Sequence, residues 1–344
     1  MCHLMEQKRI SIRSLEISPP LVLAPMVSLT HSVLRQIVAE FGGAGLYSTE
    51  MLSAKRLPHD DPELSPYLIR TEREKPLSYQ LLVASVSEIG RALDALQSLG
   101  ADAVDLNLGC PKPGVTRIGG GLGLMARPDE VRRIVAEARK RTELPLTAKI
   151  RLGDGPEDRS LKPFCVMLQE EGIDMLSIHA RLNHEPPGRR PRWEYLSTVK
   201  EWLSVPVIAN GGIFSVQDAK ECLRVSGADG LMLGRGAVVK PWLFAEIAKN
   251  VYGCDIAEPA PVLRNVYERF ADLLAVTFGP EHRLTRLKQF TKYFAGNYQF
   301  GHYLATRVQS SASVEEALER AGKFFETVTP SGIIPEASGN AVLF

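Results

Sequence analysis

Residues 205–236 read VPVIANGGIFSVQDAKECLRVSGADGLMLGRG, and their order decides the fold. An apolar run at 206–209 leads into Asn210-Gly211-Gly212. Apolar residues at helical spacing follow at 216–225, and a second apolar run at 230–233 leads into Gly234-Arg235-Gly236. Two short buried strands joined by one amphipathic helix make a βαβ unit, whose strands are parallel. The same alternation extends outward from it. Strand-like runs stand at 21–25, 45–49, 77–82, 103–107, 145–150 and 175–179, and helical patterns at 86–99, 129–141, 161–171 and 193–203. About eight such units in roughly 250 residues is the number and size of a (β/α)8 TIM barrel. An open, doubly wound sheet is the alternative for such an α/β alternation. One unit departs from the rule. After Thr49 comes Leu57-Pro58-His59-Asp60-Asp61-Pro62, which is turn chemistry, so the second helix is expected to be short or displaced.

The pattern changes after Asn250. Glu258-Pro259-Ala260-Pro261 punctuates the chain, and residues 263–276, 281–298 and 314–328 then show 3.6-residue periodicity with charged faces. The expected organisation is a TIM-barrel catalytic domain at 1–252 and an all-helical C-terminal domain at 253–344, with a loose tail from residue 329. The 344 residues, 44% hydrophobic and 24% charged, supply enough material for both cores. No run reaches the ~18–20 apolar residues of a bilayer span, which excludes an integral helical membrane protein. Five cysteines, odd in number and never spaced C-x-x-C, argue against a disulfide framework and against a zinc site. No metal is expected, and the reducing cytoplasm is the expected location. A net charge of +1 gives no global pull toward nucleic acid, so that argument rests on local patches.

A TIM barrel gathers its chemistry at the C-terminal ends of its strands. Here those ends carry Pro25-Met26, Gln80, Asn107 with Gly109-Cys110-Pro111, Lys149 with Arg151, His179 with Arg181, Asn210-Gly211-Gly212 and Gly234-Arg235. Glycines after the seventh and eighth strands let a backbone approach a phosphate closely, although glycines also simply turn a chain. Lys149 closes an otherwise apolar strand, where a cation needs an anionic partner unless it snorkels to the surface. Cys110 can be a nucleophile, a general acid or an inert small hydrophobe. With no Cys-His protease motif evident, a proton donor fits best. The glycines at 114, 119, 120, 121 and 123 suggest that a long mobile loop follows it. Arg189, Arg190 and Arg192 fall in one loop, while His282, Arg283, Arg286, Lys288 and Lys292 lie along one helix with Tyr293. Basic residues interleaved with aromatics suit RNA, or form a solvated face.

Six motifs carry a resemblance: Leu23-Ala24-Pro25-Met26, Asp105-Leu106-Asn107-Leu108-Gly109-Cys110-Pro111, Ala148-Lys149-Ile150-Arg151-Leu152-Gly153, Ile178-His179-Ala180-Arg181, Ile208-Ala209-Asn210-Gly211-Gly212-Ile213 and Leu233-Gly234-Arg235-Gly236-Ala237. In this order they resemble the tRNA-dihydrouridine synthase pattern from about residue 20 to 250, and Arg286-Leu287-Lys288-Gln289-Phe290 is compatible with it. The resemblance implies an FMN enzyme that uses NADPH to reduce the C5–C6 bond of uridine in tRNA. It implies that Pro25, Met26, Val27, Gln80, Lys149, His179, Asn210, Gly211, Gly212, Gly234 and Arg235 hold FMN. Cys110 would protonate uracil C5 while reduced flavin delivers hydride to C6, and Asn107 would orient the base. Arg181, Arg189, Arg190, Arg286 and Lys288 would contact RNA, with no membrane and no stable protein partner implied. Two loops depart from the pattern, at Val115-Thr116-Arg117 and at residues 182–193, and both are expected to face the RNA. The rival readings are a small-molecule FMN reductase of the dihydroorotate dehydrogenase kind and a non-catalytic RNA-binding barrel.

Overall fold

The computed structural model describes residues 9–155, 159–186 and 188–328, so the expected tail lies outside the described residues. Eight parallel strands form the central sheet: β3 (Leu21–Leu23), β4 (Tyr47–Ser53), β5 (Leu77–Leu82), β6 (Ala103–Asn107), β7 (Leu146–Arg151), β8 (Met175–His179), β9 (Val207–Asn210) and β10 (Gly230–Leu233). They are preceded by a small antiparallel hairpin, β1 (Ile10–Ile12) and β2 (Leu15–Ile17). Each strand pairs with the next, and β10 returns to β3. The ring closes between β3 and β4, where Leu23 N–H donates to Leu46 O and Gly45 N–H to Leu21 O, both at 2.9 Å, beside a Val22–Leu46 bridge. That closure makes the sheet a TIM barrel and removes the open doubly wound alternative. Strands β3 and β10 are buried along their whole length, which is why they read as unbroken apolar runs.

Helices Val86–Ser98, Pro128–Arg141, Leu161–Glu170, Tyr195–Glu201 and Val216–Ser226 follow their strands as expected. Between β4 and β5 there is no α-helix, only 3₁₀ turns at Leu57–His59 and Glu72–Glu74. A buried ion pair organises this connection. Arg35 Nε donates to Glu74 Oε2 at 2.6 Å, and the same guanidinium reaches Thr30 O and Ile69 O at 2.6 and 2.7 Å. Glu74 Oε1 also accepts from Ser32 Oγ at 2.6 Å and from Thr71 N–H at 2.8 Å, so every charge here has partners.

The hairpin seals the N-terminal end of the barrel. Ile10, Ile12, Leu15 and Ile17 pack with Val22, Leu46, Ala103, Met175, Ile208 and Met232. Arg13, in its turn, bonds Asp174 at 2.9 Å and Glu143 at 2.8 Å, just ahead of β8 and β7.

Beyond residue 252 come helices Leu263–Thr277, Pro280–Phe294, Gly301–Gln309 and Val314–Thr327, with a 3₁₀ turn at Ala295–Asn297. Phe270 and Phe290 stack at 3.8 Å in their core. This core is continuous with Val33, Leu34 and Ile37 of helix Ser32–Phe41 and with Val238 and Trp242. Helix Pro280–Phe294 also packs beside helix Arg235–Val239, and Asn297 Nδ2 donates to Val239 O at 2.7 Å. The helical region is thereby joined to the barrel near the ends of β3 and β10.

Candidate active site

Parallel register sets the side chains of the barrel interior in rows. Gln80, Asp105 and Thr147 are cross-strand partners, and two residues further on Asn107 is paired with Lys149. Arg151, His179 and Asn210 form the next row, at the mouth. Hydrogen bonds tie the first two rows together. Thr147 Oγ1 donates to Asp105 Oδ1 at 2.6 Å, Gln80 Nε2 to Asp105 Oδ2 at 2.7 Å, and Asn107 Nδ2 to Gln80 Oε1 at 2.8 Å. Asn107 Oδ1 then accepts the Cys110 N–H at 3.1 Å.

The Cys110 turn leans on β7. Leu108 N–H donates to Lys149 O at 2.9 Å, and a Cβ on Gly109 would stand 3.0 Å from the Ile150 carbonyl carbon. Cys110 itself is half-buried. The segment after it is not the long mobile loop expected from its glycines. It folds into two short helices, Pro113–Thr116 and Leu122–Met125, and Leu122 N–H bonds Cys110 O at 3.1 Å. Gly121, at φ +55°, lies so close that a Cβ would stand 2.5 Å from Cys110 O. Gly120, Gly121 and Gly123 serve close approach, while Gly114 has open space around it.

The mouth is strongly cationic. Burial pushes the Lys149 ammonium down to about 8, against the pull of Asp105, and Lys149 makes no hydrogen bond or ion pair among the described residues. Burial, followed by the charges of Lys149, Arg151, Arg181 and Arg235, drives His179 well below its usual value, so its imidazole is neutral at pH 7. Arg151 and Arg181 donate to the carbonyls of Leu182 and Pro186, at 2.9 and 2.8 Å. Arg235 lies 5.7 Å from the Phe214 ring centroid.

Nine of the expected cofactor residues line one cleft of about 210 Å³: Pro25, Met26, Lys149, His179, Asn210, Gly211, Gly212, Gly234 and Arg235. Its glycines are required by geometry. Gly211 and Gly212 have φ of +108° and +72°, and a Cβ on Gly211 would stand 2.7 Å from His179 Cδ2. Trp193 Nε1 holds this turn by donating to Gly211 O at 2.9 Å. Gln80 lies beneath the cleft in the hydrogen-bonded row, and Val27 is 45% exposed and outside the lining. A cradle of glycine backbone beside several cations fits a phosphorylated, anionic ring cofactor. Among the described residues, no group of three or more His, Cys, Asp or Glu is arranged for a metal ion.

The basic residues expected at RNA divide into two sets. Arg189 and Arg190 are exposed, with Arg190 3.5 Å from Glu194. Arg181 is only 2% exposed and braces Pro186, so its side chain holds the loop from inside instead of facing an RNA surface. Arg286 stacks on Phe278 at 4.2 Å, and Lys288 Nζ donates to Ser311 O at 2.6 Å. Sequence reasoning missed Asp105, Thr147 and Trp193. The first had a signal, since a carboxylate inside an apolar strand, two residues before Asn107, must share its face.

The dihydrouridine synthase (Dus) family pattern matches residues 22–327. This chain belongs to the dihydrouridine synthase family. It is 34% identical over 241 residues to a probable tRNA-dihydrouridine synthase 1 of Synechocystis sp., covering 70% of this chain and 67% of that protein. A tRNA-dihydrouridine(16) synthase of Neisseria meningitidis is 31% identical over 313 residues, 86% of this chain and 92% of that protein. Membership makes the chain an oxidoreductase of tRNA processing, with tRNA as its substrate. Among solved structures, histamine dehydrogenase from Rhizobium sp. 4-9 shares the fold with a TM-score of 0.57 at 12% identity. That likeness spans 78% of this chain and about half, 51%, of that one. A 2-naphthoyl-CoA reductase follows at 0.55 and 14%, over 71% and 52%. No helix among the described residues is long and apolar enough to cross a membrane.

Proposed function

We propose that this dihydrouridine synthase uses FMN and NADPH, with Cys110 as the proton donor to uracil C5. The carrying observation is the Cys110 turn, fixed by hydrogen bonds to Asn107 and Leu122 beside a mouth where Lys149 feels Asp105 through space but makes no hydrogen bond or ion pair among the described residues. Lys149 would hold the electron-rich N1–C2 edge of the flavin, and Gly211, Gly212, Gly234 and Arg235 its phosphate. FMN, once bound and reduced by NADPH, supplies the hydride that uracil C6 receives. Negative charge then gathers at C5 and its conjugated carbonyl, and the Cys110 Sγ proton completes the C–H bond. The resulting thiolate regains its proton from water. Asn107 orients the base beside the thiol. His179, neutral at pH 7, contributes a hydrogen bond and no charge.

Residues 253–344 and the loop carrying Arg189 and Arg190 are proposed to hold the tRNA while the target base is unstacked into the mouth. Position 16 is the first target to examine, because the relative named for it matches 86% of this chain. A small-molecule reductase would have no use for that region. A reducing, cytoplasmic setting suits the four described cysteines, all unpaired.

The test is single-turnover oxidation of pre-reduced enzyme by unmodified tRNA. Cys110→Ala is expected to keep flavin and its reduction by NADPH while slowing this step on the order of 10²–10⁴-fold. A rate near wild type would move the proton donor to Lys149.

A further inference from the structure

Asp105 sits behind the catalytic turn and takes no part in the chemistry above. It is 4% exposed and accepts from Thr147 on one oxygen and from Gln80 on the other. Burial raises its pKa, while the hydrogen bonds from Thr147 and Gln80 and the charge of Lys149 favour the ionised form, which can only accept. Gln80 must therefore turn its amide nitrogen inward, which leaves its Oε1 facing Asn107. Asn107 answers with Nδ2, so its own Oδ1 is the atom left for the Cys110 N–H. Each amide is turned by the one before it, and the row starts at Asp105. One N–H on Gln80 Nε2 and one on Asn107 Nδ2 stay uncommitted among the described residues, and Asn107 is only half-buried.

We propose that Asp105 is a positioning residue for uridine reduction: through Gln80 it turns Asn107 so that this residue presents its N–H donor, and not its carbonyl oxygen, to the barrel mouth. Such a wall accepts a pyrimidine edge carrying a carbonyl oxygen and opposes one carrying an amino group, donor against donor. The inference rests on the dihydrouridine synthase reading of this site. A reversed Asn107 would offer its oxygen to the substrate and aim Nδ2 at the Cys110 N–H, disturbing both at once.

Thr147 supplies the test. In Asp105→Asn the new amide must donate, and Thr147 can accept if its own hydroxyl proton turns to Val104 O, 3.4 Å away. The polarity of the row then survives. Removing the hydroxyl in that background leaves Gln80 Oε1 as the acceptor within reach of the row, and the row reverses. The experiment compares Thr147→Val in the wild-type and Asp105→Asn holoenzymes, reading the oxidation rate of reduced enzyme at saturating tRNA and, separately, tRNA affinity. Charge loss beside Lys149 is common to both Asp105→Asn proteins and cancels.

Thr147→Val alone is expected to change the rate by less than about fivefold, and by a further ten- to hundredfold, roughly, in the Asp105→Asn background, with tRNA affinity unchanged. Thr147→Ser in that background should keep the Asp105→Asn rate. Equal factors for Thr147→Val in the two backgrounds overturn the proposal, as does a loss with serine. Should the double variant not retain flavin, Gln80→Met breaks the second link while keeping the carboxylate, and an unchanged rate there overturns it as well. A wild-type enzyme that tRNA does not oxidise would instead sink the functional reading.

Discussion

Arg35 and Glu74 are buried side by side, and each is the other's main partner; Lys149 stands at the barrel mouth with Asp105 acting on it through space and no carboxylate within ion-pair reach among the described residues. Both regions bury charge, yet only one balances it. In the β4–β5 connection the pair replaces a missing helix, and its five hydrogen bonds tie the start of helix Ser32–Phe41 and Thr30 to the segment at 69–74. At the mouth the cations are braced by carbonyl oxygens, which orient a guanidinium without neutralising it. A fully compensated buried charge is architecture, whereas an uncompensated one marks where an anion belongs.

Breaking the balanced region should give the larger effect. Glu74→Ala strands a buried guanidinium and is expected to cost about 3–5 kcal/mol in denaturant unfolding, with part recovered by adding Arg35→Met. A loss under about 1 kcal/mol would mean that the pair is dispensable and the contrast false.

Lys149→Ala tests the other side. Stability should hold or rise slightly, while FMN affinity falls on the order of 10²-fold, the usual worth of one desolvated charge contact. Lys149 is cationic below about 8 and neutral above it, so FMN binding to the apoprotein should weaken as pH rises through that value. Lys149→Arg should flatten the profile; a wild-type profile flat from pH 6 to 9 would contradict the assignment.

The smallest effects belong to the surface. Arg190→Ala should weaken tRNA binding a few-fold and lower the salt slope by about one unit, the signature of one phosphate contact. Arg181→Ala should instead lower thermal stability, because its guanidinium braces the loop at Pro186. An unchanged melting point with a reduced slope would return Arg181 to the RNA face.

The barrel was legible because a strand covered on both faces is mostly apolar, and the runs at 77–82, 103–107 and 175–179 coincide with β5, β6 and β8 despite Gln80, Asp105 and His179 within them. At β4 a register shift between Ser48 and Met51 carries the strand on to Ser53, beyond the apolar run. Helix Gly301–Gln309 opens on a glycine and leaves Tyr303 55% exposed, so its periodicity is faint. The Arg35–Glu74 pair joins residues too far apart for any local pattern to reveal. The strand-end residues were readable as a set, but exposure was not: Arg181 looks like any cation at a mouth until the Pro186 carbonyl takes its guanidinium. Glycines after Cys110 misled for a related reason, since sequence cannot distinguish freedom from tight packing.

The hairpin of β1 and β2 stoppers the barrel floor, with Arg13 clipped to Asp174 and Glu143 beneath it. The interior of the barrel is itself packed with strand side chains, and with the hairpin beneath them the barrel is a cup. Whatever enters over the rim must leave over the same rim, and two large reactants cannot pass one another inside. Traffic through a cup is sequential by geometry.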